Sequence, residues 1–541
     1  MTTATLERFT SRRDGPAPVD ARVMQAAGWL AVGLVALLAV GAFATLGLEA
    51  VTTGGTLGDP AYVWRITLFT LWQAGLSTVL SLLAAVPLAR ALARRPSFPG
   101  RGALVTLLAL PLVIPALVAS LAIIGVWGRQ GLLNDGLAAL GLERVSIYGL
   151  PGILLAHVFF NMPLAARLLL RHLSAVPPAR WRLAAQLDLS ASAQWRLIEW
   201  PAIRPHLGGV ALLVFALCAT SFAVVLTLGG GPRSTTLEVA IYQSLRFDFE
   251  PGRAVALAFV QLALTGTLAW LLRGRAGIED RAGAIESPRR HGRDTTLARV
   301  ADFGVIAACT LFLVAPLAML LVAGLGADLV RLVGEASVHG AILTSLGLGL
   351  LSALLAILAT LALVLGGHAG GAPLRAAAGA VAALVLVVPP TVLGAGWFLA
   401  LRGTGAVFSA APVMIVTVNA AMALPFTMRV VGPAWARHAA RTDRLARALG
   451  MGGASKLARL DWPAMRGAVA LAFAFALSLS LGDLGVVALF GSQDWTTLPL
   501  LLLQRMGAYR TDDAAGLALI LATLCLGIMA LATLAERRGG P

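Results

Sequence analysis

The chain has 541 residues, 58% of them hydrophobic and only 13% charged, with a mean hydropathy of +0.84 and a formal net charge of +16. Soluble domains carry roughly 25% charged residues, so this composition excludes an ordinary soluble domain and specifies an integral membrane protein. A nucleic-acid-binding role would need basic residues interleaved with exposed aromatics on a soluble surface, and the chain does not supply that pattern.

Crossing a hydrocarbon core of about 30 Å takes about 20 apolar residues. Runs of that length fall near 25–48, 66–92, 102–127, 147–170, 206–228 and 253–272, and again near 300–325, 341–366, 374–400, 411–431, 467–490 and 514–535. Twelve spans put both termini on one side. The N-terminal tail, the C-terminal tail and the loops on their side hold 32 of the 42 Arg and Lys residues. Basic loops stay in the cytoplasm, so the net charge is mostly a topology signal and both termini are expected there. No A-x-A-like cleavage site follows the first apolar run, which is therefore expected to be a retained anchor. Cys218, Cys309 and Cys525 fall within spans at spacings suited to neither disulfides nor metal, and no His pair has zinc-ligand spacing. No metal site is expected.

The chain repeats itself. The stretch RLAAQLDLSASAQWRLIEWPAIR at 182–204 returns as RLARALGMGGASKLARLDWPAMR at 444–466, with eight identities at a shift of 262: Arg182/Arg444, Leu183/Leu445, Ala184/Ala446, Leu187/Leu449, Trp200/Trp462, Pro201/Pro463, Ala202/Ala464 and Arg204/Arg466. Pro163/Pro425 and Arg167/Arg429 keep that shift. T-T-L-E-V-A-I-Y-Q at 235–243 matches T-T-L-P-L-L-L-L-Q at 496–504, and V-I-P at 113–115 matches V-V-P at 387–389 with Thr70 paired to Thr344. The first half thus carries 12 extra residues within 128–146. Six spans per half make the copies run the same way through the membrane, related by an axis along its normal. The expected architecture is an all-α membrane protein: a first half at 1–272, a cytoplasmic linker at 273–299 and a second half at 300–541, with six transmembrane helices in each half.

Within the repeated polar stretch, 178–189 and 440–451 are expected to be short helices, each followed by a turn near Asp188–Ser190 or Gly450–Gly453. Gly and Asp tolerate the left-handed backbone that such a turn needs. Helices of this kind, lying across the cytoplasmic face with Ala and Leu presented outward, make a docking element for a partner protein. Resting on acidic lipid head groups is the alternative, but duplication favours a two-fold partner needing two equivalent sockets.

These residues resemble the coupling motif of permease subunits of ATP-binding-cassette importers, written E-A-A, three residues, G, nine residues, I-x-L-P. The register gives Arg182, Leu183, Ala184, Leu187, Asp188, Ile198 and Pro201 in one half, and Arg444, Leu445, Ala446, Leu449, Gly450, Leu460 and Pro463 in the other. Arg182 and Arg444 replace the motif Glu, and Trp200 and Trp462 replace the Leu before Pro. The longer stretches FALCATSFAVVLTLGGGPRSTTLEVAIYQSLRFDFEPGRA and NMPLAARLLL are similar to the fused permeases of bacterial thiamine and thiamine-diphosphate importers, and the likeness spans nearly the whole chain. The resemblance implies alternating access, two copies of a cytoplasmic ATPase that bind ATP and Mg in place of any cofactor here, and a periplasmic or extracellular substrate-binding protein. Fused permeases for ferric iron and polyamines share the architecture. The single lysine, Lys456, lies in no G-x-x-x-x-G-K-[ST] loop, so this chain is expected to hydrolyse nothing itself.

Candidates for a substrate path are Asp483, His157, Asn161, Asn419 and Phe222. An acid at membrane depth is costly unless it faces protein, water or substrate, so Asp483 is a candidate to meet a cationic thiazolium or to cap a helix. His157, Asn419 and Asn161 fit either a path or interhelical hydrogen bonds. Trp127, Phe159, Phe160, Phe222 and Trp397 offer ring faces for a cation, or ordinary packing. Glu238 and Gln243/Gln504 are placed at the outer ends of spans, for contact with a delivering protein or with solvent. An ion-driven transporter would be expected to show an embedded relay of acids and bases, and the chain offers only Asp483 and His157 toward one.

Overall fold

The computed structural model describes residues 19–52, 59–273, 295–449, 451, 453–492 and 494–539. Most of the linker, 274–294, and Gly450 of the second turn lie outside them. The described residues form helices joined by loops, with no strand among them. Among the described residues, eleven helices are long and apolar enough to cross a membrane, and Gly371–Val387 with Pro390–Arg402, bent by 89°, makes up to twelve if the pair is counted as one broken span.

Several spans depart from straight rods, and proline explains the departures in the third span of each half. The run at 102–127 is not one helix but Arg101–Leu107, a short 3-10 turn at Leu110–Leu112, and Ala116–Trp127. Pro111 and Pro115 remove backbone donors there, Pro111 inside the 3-10 turn and Pro115 at the cap of Ala116–Trp127. The matching V-V-P of the second half breaks its span at Val388–Pro389. The fifth spans are also broken. Trp200–Ala219 stops before a separate Ala223–Leu228, and Trp462–Leu481 stops before Gly485–Phe490. Their intervening residues, 220–222 and 482–484, are equivalent at the shift of 262.

The second spans, Pro60–Arg94 and Ala336–Ala369, bury a seam at helical spacing: Ile66, Thr70, Ala74, Ser77, Ser81 and Ala85 in one, and Ala341, Ser345, Gly349, Ser352, Ala356 and Thr360 in the other. Small and hydroxyl side chains let helices approach closely where no hydrophobic force drives association. Every pair is separated by 275, so Thr70 corresponds to Ser345 and the sequence pairing with Thr344 is one residue out. Function confirms the register: Thr70 Oγ1 accepts from Leu237 N at 3.0 Å, and Ser345 Oγ accepts from Leu498 N at 2.7 Å. Each hydroxyl thereby caps a short helix, Leu237–Arg246 or Leu498–Gly507, which explains the repeated T-T-L.

The halves interlock through their first helices. Val19–Thr52 packs on Ala336–Ala369 and Pro390–Arg402 of the second half, while Thr296–Gly326 packs on Pro60–Arg94 and Ala116–Trp127 of the first. Gln25 Nε2 donates to Ala369 O at 2.8 Å, and Thr45 Oγ1 to Gly396 O at 2.8 Å. The 12 extra residues of the first half contain a helix, Leu132–Ala139. Buried Asn134 ties it down, donating to Gly128 O at 2.7 Å and accepting from Val145 N at 2.7 Å.

Candidate functional site

On the arginine-rich face, the doubled segment folds in each half into a projecting element. In the first half Leu150–Ser174 ends and Pro178–Gln186 begins a separate helix. In the second, no separate helix forms at 440: Ala411–Ala448 runs on unbroken for 38 residues, about 57 Å at 1.5 Å per residue. The reason lies at equivalent positions, where Pro177 and Pro178 face Ala439 and Ala440. Proline cannot continue the hydrogen-bonding ladder, and alanine is the best helix former.

The turns that follow match. Asp188 takes a φ of 45°, the left-handed region. Leu189 N donates to Ala184 O at 3.0 Å, and Met451 N donates to the equivalent Ala446 O at 2.8 Å, a six-to-one closure typical of a helix end. Side-chain exposure is reproduced almost to the percent: Leu183 and Leu445 are 55% and 56% exposed, Leu187 and Leu449 63% and 64%. Arg182 and Arg444 are exposed as well. Ala184 and Ala446 face the other way and are buried; Ala184 packs with Trp181, Val176 and Ile198 in a small core of its own. The exposed surface of each element is therefore a leucine pair flanked by arginine, and the alanines are buried within it rather than presented outward. Pro201 and Pro463 are exposed, as is Trp462, and Trp200 is half-buried.

Each W-P sits at a π-turn. Trp200 N donates to Trp195 O and Trp462 N to Leu457 O, five residues back. The prolines at 201 and 463 lack the N–H that would hold the following residue to the four-residue register. Immediately before each Trp is a buried acid that the identity count passes over, Glu199 and Asp461. Arg90 Nε donates to Glu199 at 2.6 Å, its guanidinium lies over Trp195, and Nη2 donates to Ala191 O at 3.2 Å. Asp461 instead lies 2.8 Å from His438 Nε2, beside Lys456, which donates to Asp443 at 2.9 Å. The first coupling segment is thus tied to the second span and the second to the end of the tenth. Acidity at equivalent positions was the signal available in the sequence.

At membrane depth the broken helices of the two halves surround a cavity of about 150 Å³ lined by Thr220, Phe222, Ala223 and Glu238 from one half and by Pro390, Thr391 and Gly482–Gly485 from the other. A second cavity of about 220 Å³ shares Gly482, where an added Cβ would lie a tight 3.1 Å from the Pro115 ring. Asp483 Oδ1 accepts from Gly485 N at 3.2 Å and so caps Gly485–Phe490, while Oδ2 is shut off from water without a hydrogen-bond partner. Phe222 meets Tyr242 edge to face at 5.4 Å.

Of the sequence candidates, Asp483 and Phe222 line this cavity and Asn419 stands beside Asp483, while His157 and Asn161 are not among its lining residues. His157 Nδ1 lies 2.9 Å from Ser77 Oγ, Asn161 Nδ2 donates to His157 O at 2.9 Å, and Asn419 Nδ2 donates to Ser480 Oγ at 3.0 Å. Trp397 Nε1 donates to Leu38 O, and Phe159 packs against Phe160 and Phe312. Glu238 does not sit at an outer rim. It is 1% exposed, accepts from Gln261 Nε2 at 3.0 Å and from the hydroxyl of Thr391 across the interface.

Two repeated halves, interlocked around broken helices and each carrying one copy of the polar segment, have the plan of a fused permease of an ATP-binding-cassette transporter. No family model matches the chain. It is 52% identical over 515 residues to the thiamine transport system permease protein ThiP of Brucella abortus (strain 2308), covering 94% of both chains. It is 39% identical over 509 residues to the protein of that name from Escherichia coli (strain K12), covering 92% of this chain and 95% of that one. The molybdenum transport system permease protein ModB of Mycobacterium bovis is 29% identical over 198 residues, 36% of this chain. The chain belongs to the thiamine transport system permease family.

Proposed function

We propose that this protein carries thiamine across the inner membrane into the cytoplasm by alternating access. The observation that carries the cargo assignment is the identity with thiamine permeases along almost the whole chain. Its arginine-rich face, with both termini, lies in the cytoplasm by the positive-inside rule. Two copies of a separate ATPase dock there, one on Leu183/Leu187 and one on Leu445/Leu449, and bind the ATP and Mg that this chain has no loop to hold. A substrate-binding protein delivers cargo to the opposite face. Closure of the ATPases pulls both coupling segments together, and the ties through Arg90–Glu199 and His438–Asp461 pass that motion into the spans. The test is uptake of labelled thiamine in cells lacking other routes. Deletion of the gene is expected to abolish it and the intact chain to restore it. Unchanged thiamine uptake, with loss of iron or polyamine uptake instead, overturns the cargo assignment.

A further inference from the structure

Glu238 and Asp483 line the same cavity, one from each half, and the two-fold plan does not account for either. The position equivalent to Glu238 at the shift of 261 is Pro499, and the position equivalent to Asp483 at 262 is Ser221. Each half has therefore placed one carboxylate where its copy has an uncharged residue, and the two meet across the interface at the breaks of the fifth spans. Neither forms an ion pair among the described residues, where other buried acids such as Glu199, Asp302 and Asp513 each have an arginine. A carboxylate in a medium of low polarity needs a proton, a metal or a cation to offset its charge. Asp483 Oδ2 makes no close hydrogen bond, and the neighbours of this carboxylate are neutral, the Asn419 amide and the backbone N–H groups of residues 485–487. Phe222 supplies a ring at the same wall, and a ring face attracts a cation. Thr391, which donates to Glu238, begins the outer arm of the span bent by 89°, so movement of that arm frees the carboxylate for another donor.

We infer that Glu238 and Asp483 form a cation-recognition station in the translocation path, at which the positively charged ring of the cargo is held by one acid from each half. The station rests on the import function proposed above and adds that the permease itself, and not only the delivering protein, selects cargo by charge. The test uses the full complex of permease, ATPase and binding protein in proteoliposomes, with uptake normalised to the amount of permease inserted. Two cargoes are compared: thiamine, and its neutral thiophene isostere, which keeps the shape and loses the charge. Wild type is expected to favour thiamine at the permease step. Glu238→Gln and Asp483→Asn are each expected to raise the KM for thiamine about tenfold, the loss of one charge-assisted contact, while leaving the KM for the isostere within twofold. Thr391→Val, which removes the hydrogen bond and keeps the charge, is expected to leave the ratio of the two KM values unchanged. If either carboxylate variant inserts and lowers both cargoes alike, or neither, the station is wrong and the role of these acids is structural. If wild type imports neither cargo, it is the thiamine assignment that fails.

Discussion

At the scale of single residues, the docking role proposed above divides the repeated segment into exposed side chains available to a partner and buried ones that hold its shape. Leu187 and Leu449 stand well out from the surface while Ala184 and Ala446 are enclosed. Leu187→Asp together with Leu449→Asp is therefore expected to abolish co-purification of the ATPase while moving the melting temperature of the purified permease by less than about 2 °C, since exposed substitutions are usually worth within 0.5 kcal/mol. Ala184→Glu is expected to act differently, forcing a charge into the packing around Trp181 at a cost of about 3 kcal/mol or more, so that the folded yield falls along with docking. Equal melting temperatures for the two kinds of variant would overturn this division. Asp188, at a φ of 45°, is expected to accept Gly and to lose about 1 kcal/mol as Val, because left-handed backbone crowds a β-branched side chain, a difference readable in a thermal melt. The turn at Asp188 was legible because local spacing and residue type determine it. Glu238 was not: it sits in a polar-looking stretch near a span end, and its burial depends on Thr391, 153 positions further along.

At the scale of elements, the two coupling segments share shape but not wiring. Arg90 clamps the first to Pro60–Arg94 through Glu199, and the second has Leu365 at the position equivalent to Arg90 and uses His438 and Lys456 instead. Removing one member of a buried pair leaves the other uncompensated, at about 3–5 kcal/mol. Arg90→Ala is thus expected to leave the ATPase bound but to uncouple hydrolysis from uptake, and Arg90→Ala combined with Glu199→Gln is expected to recover insertion without recovering coupling. ATPase turnover measured against thiamine flux in proteoliposomes decides it: full coupling in the single variant would show that the clamp transmits nothing. The sequence displayed the repeat but hid this difference, since identities mark what the halves share, and the Pro177–Pro178 against Ala439–Ala440 contrast that splits one helix and extends the other lies outside the identical positions. The breaks in the fifth spans were hidden for a similar reason. Residues 220–222 and 482–484 sit inside apolar runs, and hydropathy averages over a three-residue interruption that lacks proline.

At the scale of the whole molecule, the exchange of first helices bears on whether the fused chain needs its fusion. Val19–Thr52 has few buried residues and finds its main neighbours in the second half, as Thr296–Gly326 does in the first. The eleven or twelve spans and the repeat of their breaks were legible because composition and a shift near 262 carry them. The exchange was not, because lipid-facing and helix-facing apolar side chains are alike in composition, and only packing of small residues such as Gly28 against Gly366 tells them apart. If the first helices are the clasp, continuity of the chain through 274–294 is dispensable. Residues 1–283 and 284–541 expressed together as two chains are expected to co-purify and to restore at least half of the thiamine uptake of the fused protein, and either alone is expected to be degraded in the membrane. A third pairing sharpens the test. Deleting residues 1–52 from the first fragment should remove co-purification, because Gln25, Thr45 and the carbonyl of Leu38, which accepts from Trp397, are contacts made to the other half by that helix. Retained co-purification without it would place the hold between the halves in the cavity-lining breaks instead, and the first helix would then be an anchor with no part in joining them.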